Sequence, residues 1–222
     1  MTSFYFRQPA RAVLVCVLWA CGVTHSSAAA PQFILSSQDG KVMVINGDIK
    51  TVEGSDTVAV IKVTGHHAEI VTEFPVPNSV FGPPQSVDTT PDGRLAFVTA
   101  GAKRDPADPA KTSLDDLVSI VDLTEKPPRV IDTLHAGMGV GGISVSPDGK
   151  LAIAASRADG LPTGGWTQGL AFTPDGKTVL VQNTMQKQIE VIAINGDRAV
   201  DTGQRLQFDS APSGMRTMHT AP

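Results

Sequence analysis

From about residue 30 onward, apolar and polar residues alternate in short runs, and most runs stop at a cluster of turn-forming residues. One run, "PQSVDTT", ends at Pro91-Asp92-Gly93, and "LAFVTA" (Leu95 to Ala100) follows. Alternation with a period of two marks strands with one buried face. The break between them specifies a tight turn: proline fixes φ, aspartate bonds to nearby backbone, and glycine supplies positive φ. The pattern predicts an all-β chain of antiparallel strands.

The phrase repeats. "QDGKVMVING", "PDGRLAFVTA", "PDGKLAIAAS" and "PDGKTVLVQN" carry their aspartates at Asp39, Asp92, Asp148 and Asp175, which are 53, 56 and 27 residues apart. Ser86, Gly142 and Gly169 each stand five residues ahead of the proline, as expected of inner strands crowded about an axis. Two more strands follow the longer intervals: "DTVAVIKV", "DLVSIVDL" and "QIEVIAIN", then "AEIVTEFPV", "RVIDTLHAG" and "RAVDTGQRLQF". A repeated four-stranded antiparallel unit is the blade of a β-propeller, with about 40–50 residues per blade. The interval of 27 leaves room for half a unit. The expected organisation is therefore three and a half to four units in an incomplete ring: about 32–80, 81–140, a half unit at 141–160, and a last unit at 166–222. The half unit should leave an unpaired strand edge, open to self-association and to proteolysis at 157–165.

The first 29 residues read differently. Arg7 and Arg11 precede the apolar run "AVLVCVLWACGV", and "THSSAAAP" then offers small residues for cleavage, the pattern of an export signal. The expectation is a periplasmic or secreted protein of residues 30–222, with lipid attachment at Cys21 as an alternative. Both cysteines, Cys16 and Cys21, lie in this segment, so the mature chain would have neither disulfide nor thiol chemistry. Its net charge, −4 for the whole chain and −6 without Arg7 and Arg11, argues against nucleic acid and anionic membranes as partners.

Candidate chemistry is sparse. His66 and His67 fall in a turn, His135 on an outer strand and His219 in the tail, and no ligand spacing links them, so no metal or cofactor is expected. Asp115 and Asp116 could work as an acid–base pair, but neighbours on a strand point to opposite faces. Asp92, Asp148 and Asp175 belong to turns. Ser36, Ser119 and Ser144 lack a nucleophile elbow, and "GMGVGG" (Gly137 to Gly142) reads as a crossover between units. Trp166 could stack on a ligand or pack in the core.

"VDTTPDGRLAFVTA", "SIVDL", "ISVSPDGKLAIAAS" and "FTPDGKTVLVQN" together resemble the YVTN-type bacterial propellers, the exported lactonase-like or YncE-like proteins with about seven blades. The resemblance runs from Phe33 to Thr217, and it implies that the middle blades are missing here. With the catalytic residues unknown, three functions follow: an exported non-catalytic module that binds a protein or small ligand, which the absence of a catalytic set favours; a lactonase-like hydrolase, implied by the resemblance alone; and a non-functional remnant of a longer propeller.

Overall fold

The computed structural model describes residues 30–46, 48–80, 85–156, 167–212, 215 and 217. The expected export signal (1–29), Cys21, the junction 157–165, Trp166 and His219 lie outside them. The described residues form strands, turns and loops without a helix.

The first strand, β1 (Gln32–Gln38), is followed by a separate hairpin of β2 (Val42–Ile45) and β3 (Asp48–Thr51). Then β4 (Thr57–Thr64) and β5 (His67–Pro75) complete a three-stranded sheet of order β1-β4-β5. The second sheet is a full antiparallel blade of β6 (Val87–Thr89), β7 (Leu95–Arg104), β8 (Thr112–Asp122) and β9 (Arg129–His135) in chain order. A two-stranded sheet follows, of β10 (Ile143–Val145) and β11 (Ala152–Ala154). The last blade runs β12 (Thr167–Phe172), β13 (Thr178–Asn183), β14 (Gln188–Asn195) and β15 (Arg198–Gln207). The architecture is an all-β, open arc of propeller blades, with a two-stranded sheet of described residues between the two four-stranded ones.

Apolar side chains sandwiched between successive sheets hold the arc together. Val58, Phe74 and Val76 of the first sheet region meet Ala96, Val98 and Val121 of the second, all nearly inaccessible to solvent. Val118 packs on Val140 and Ile143, and Ala155 on Leu170, Phe172 and Val179 of the last blade. Each large side chain so buried contributes about 1.5–3 kcal/mol. The inner strands are neighbours along the arc, with β6 beside β10 and β10 beside β12.

Three of the four repeated phrases make the expected turn. Thr90, Ser146 and Thr173 each donate a hydroxyl hydrogen bond of 2.6 Å to the turn aspartate, Asp92, Asp148 or Asp175. The same carboxylate accepts the backbone N–H two residues on, from Arg94, Lys150 or Lys177. These bonds hold all three carboxyls below their ordinary range. Gly93, Gly149 and Gly176 take φ of 68°, 72° and 69°.

The fourth phrase corrects the sequence reading. "QDGK" has Gln38 in place of proline, and Gly40 is not among the residues of positive φ. Its strand β1 pairs with β4, not with the strand that follows the phrase. Ser37 lies opposite Val58 just as Thr99 lies opposite Val118, so β1 is the counterpart of β7, the second strand of a blade. Among the described residues the first unit is therefore three-stranded, with no inner strand beside β1. Asp39-Gly40-Lys41 lies where the second blade has Gly101-Ala102-Lys103, at the rim opposite the repeated turns.

Candidate functional site

At that rim the sequence builds a buried polar knot. Lys41, only 4% exposed, directs its ammonium to Asp56 at 2.8 Å, to Asp39 at 3.2 Å, and to the carbonyl of Asn78. Both carboxylates are anchored by backbone as well. Asp39 accepts from the N–H groups of Lys41 and Val80, and Asp56 from those of Gly40 and Asn78. The Asn78 side-chain amide spreads its two hydrogens over the carbonyls of Gln38, Thr57 and Val76 at 3.0–3.1 Å. Gly40 is needed here for space: a Cβ would sit 2.1 Å from the Ser55 carbonyl oxygen.

The next blade supplies a second ionic group. Lys103 Nζ donates to Asp115 at 3.0 Å, and this carboxylate holds the ammonium above its usual pKa, so it stays charged. The Arg104 guanidinium donates to the carbonyls of Val52 and Gly54, tying the two blades together. Lys41, Asp56, Lys103, Arg104 and Asp115 line one cavity of about 200 Å³ between the blades. Three cations and two carboxylates thus converge on an opening where Lys103 is half exposed and Asp115 largely sheltered.

Asp115 and Asp116 diverge, as alternation along β8 dictates. Asp116 turns away and accepts from His135 Nδ1 across to β9 at 2.8 Å, and this bond lowers its pKa. His135 is mostly solvent-exposed. His66 sits with Gly65 (φ 61°) in the β4–β5 turn, and His67 begins β5, both exposed. Ser36 accepts from Gln38 Nε2, Ser119 is fully buried on β8, and Ser144 lies opposite Ile153 within the short sheet. Residues 137–142 do form a crossover, from β9 to β10, with φ of 89° at Gly137 and 69° at Gly139. The crossover packs on Gly101, where a Cβ would sit 2.3 Å from the Val140 carbonyl oxygen.

Sequence reasoning missed Lys41, Asp56, Asn78, Lys103 and Arg104, because they come from connections of unequal length in different units. The usable signal was the unpaired phrase itself: a lysine after Asp-Gly where the proline was absent.

No protein-family model matches the chain, and no curated protein matches it. Solved structures do match in fold. A candidate 6-phosphogluconolactonase of Bacteroides fragilis aligns with a TM-score of 0.54 at 16% identity, over 85% of this chain and 58% of the other. A periplasmic gluconolactonase of Pseudomonas aeruginosa aligns with a TM-score of 0.50 at 18% identity, over 74% of this chain and 54% of the other. A Lactobacillus plantarum protein gives 0.54 at 15% identity, over 80% and 57%. The chain thus spans a little over half the length of these propellers. The expectation of a non-catalytic binding module is corrected by these neighbours, two of which are named for lactone hydrolysis and favour the lactonase-like alternative. The preference had rested on the absence of a contiguous catalytic motif, whereas charged groups from two blades meet only in the folded arc.

Proposed function

We propose that the chain is a shortened, exported propeller of the YVTN type and a lactone hydrolase acting at the cavity between its first two blades. The observation that carries this reading is the convergence of Lys103, Asp115, Lys41 and Arg104 on one opening, in a fold shared with proteins named as lactonases. Opening a lactone requires a base for water and positive charge where the carbonyl oxygen becomes an oxyanion. Asp115 takes the proton from water as its oxygen attacks the carbonyl carbon, and the Lys103 ammonium stabilises the tetrahedral oxyanion. Collapse breaks the ring C–O bond, and the departing alkoxide recovers the proton from Asp115. Lys41 is neutralised by Asp39 and Asp56 and serves to hold the rim in place, while the Arg104 guanidinium, bonded to backbone carbonyls, suits a substrate that carries an acidic group. Export agrees with the N-terminal pattern and places the substrate outside the cytoplasm.

The test is base uptake at constant pH during turnover of a sugar δ-lactone by the full chain. The expected result is a rate above that of buffer, reduced at least tenfold by Lys103→Met. A rate equal to buffer overturns the reading.

A further inference from the structure

The wall of the cavity between the first two blades is divided. One part is ionic, and its bonding is largely committed. The Lys41 ammonium serves Asp39, Asp56 and the Asn78 carbonyl, which occupies all three of its hydrogens. The Asp56 carboxylate accepts from Lys41 and from the N–H groups of Gly40 and Asn78. Lys103 and Asp115 hold each other, and Arg104 donates to the carbonyls of Val52 and Gly54. The other part of the wall is Gly54, Pro77, Ala100 and Ala102. Among the described residues that line the cavity, none has a hydroxyl or an amide side chain.

Apolar surface continues out of the cavity on both sides. Ala102 lies opposite Leu114 in the β7–β8 pair, and residues directly opposite share a face of the sheet, so Leu114 stands beside the lining Ala102. Ala102 is 5% exposed, whereas Leu114 is 45% exposed. From the facing blade rises the hairpin of β2 and β3, whose base is closed by the Val52 N–H bond to the Lys41 carbonyl. Lys41 and Gly54, at the two feet of this hairpin, line the cavity. Met43 lies opposite Lys50, the neighbour of Ile49 along β3, which sets Met43 and Ile49 on opposite faces of the hairpin, 53% and 60% exposed. The face turned to the opening thus carries an exposed apolar side chain.

Resting on the hydrolase reading, we propose that the substrate is a lactone with an aliphatic arm, its carbonyl at Lys103 and Asp115 and its arm running over Ala102 and Leu114 towards the hairpin. The cavity, about 200 Å³, is smaller than the ~300–1,000 Å³ of sites that enclose drug-sized ligands, so the ring occupies it and the arm leaves by the mouth. A sugar lactone fits this wall less well, because ring hydroxyls pressed against alanine and proline lose water without gaining a partner. An apolar wall rejects an added hydroxyl by no more than about a hundredfold, so a sugar δ-lactone is still turned over.

The test compares δ-valerolactone, δ-octalactone, δ-decalactone and glucono-δ-lactone by base uptake with the full chain, and the lactams matching the first three by calorimetry, which reads binding without hydrolysis. Both kcat/KM and lactam affinity should rise about twofold to fourfold for each methylene that reaches the apolar wall. δ-Decalactone should exceed glucono-δ-lactone in kcat/KM. Leu114→Ser should flatten both series and raise KM for δ-decalactone more than for δ-valerolactone. Lactam affinities that do not change with arm length, a higher kcat/KM for glucono-δ-lactone than for δ-decalactone, or a slope that survives Leu114→Ser each overturns the proposal. A lactam series that keeps its slope and its response to Leu114→Ser while no lactone is opened supports the aliphatic-arm site and overturns the hydrolase reading alone.

Discussion

Replacing Lys41 by methionine isolates the energetic role of the buried polar knot. The substitution keeps the length of the aliphatic stem but removes the ammonium that Asp39 and Asp56 share. Removing one partner of a buried ionic group typically costs about 3–5 kcal/mol, because an uncompensated charge is left behind. Asp39 keeps the N–H of Val80, and Asp56 keeps those of Gly40 and Asn78. These bonds offset part of the loss and place the expected value near the lower end, about 3 kcal/mol. Against the ~5–15 kcal/mol of a typical domain that is a large fraction. Urea unfolding followed by tryptophan fluorescence and far-UV circular dichroism gives the difference directly. Adding Asp56→Asn to Lys41→Met should recover stability, since it removes one orphaned charge. A loss below about 1 kcal/mol, or no recovery in the double variant, would show that water already solvates these carboxylates and that Lys41 is not the partner they depend on.

Two further outcomes follow from the turns and the last blade. Gly93→Ala should destabilise by about 1–2 kcal/mol through its positive φ alone, since a Cβ there meets nothing within 4 Å. Gly40→Ala, at ordinary φ but with the Ser55 carbonyl 2.1 Å from the new Cβ, should cost more, and thermal melting of the two variants ranks them. In β15, the hydrogen bond from Arg205 is the main cause holding the Asp201 carboxyl down at about 2 instead of 3.8. A depressed carboxyl contributes stability above its ordinary pKa and loses it as pH falls through the folded value, so the contribution should persist at pH 4 and fade towards pH 2. Carboxyl NMR titration should show this, with Arg205→Ala moving the midpoint upward.

The all-β class and the antiparallel blade repeat were legible in the sequence, because each rests on local chemistry. Pro-Asp-Gly with a hydroxyl two residues ahead of the aspartate encodes its turn within a few residues, as Thr90, Ser146 and Thr173 demonstrate. The first unit was misread for the same reason. Without proline, Asp39 and Gly40 answer to partners far along the chain, Asp56 by way of Lys41 and the backbone of Ser55 and Val80. The divergence of Asp115 and Asp116 was readable from strand alternation. The pairing of Asp116 with His135 depended on the β8–β9 register, which places Leu117 opposite His135 and which no motif records. The cavity was illegible because Lys41 and Lys103 become neighbours only when two sheets stack.

The proposed lactone hydrolysis at the cavity between the first two blades is tested most directly by comparing Asp115→Asn with His135→Asn on a sugar δ-lactone. Both groups lie at the same rim, but only Asp115 lines the cavity. Asp115→Asn should lower kcat by about 100-fold or more, the usual worth of a positioned base, while His135→Asn leaves the rate within twofold of the parent. Equal rates for the parent and Asp115→Asn, or a loss confined to His135→Asn, would contradict the assignment.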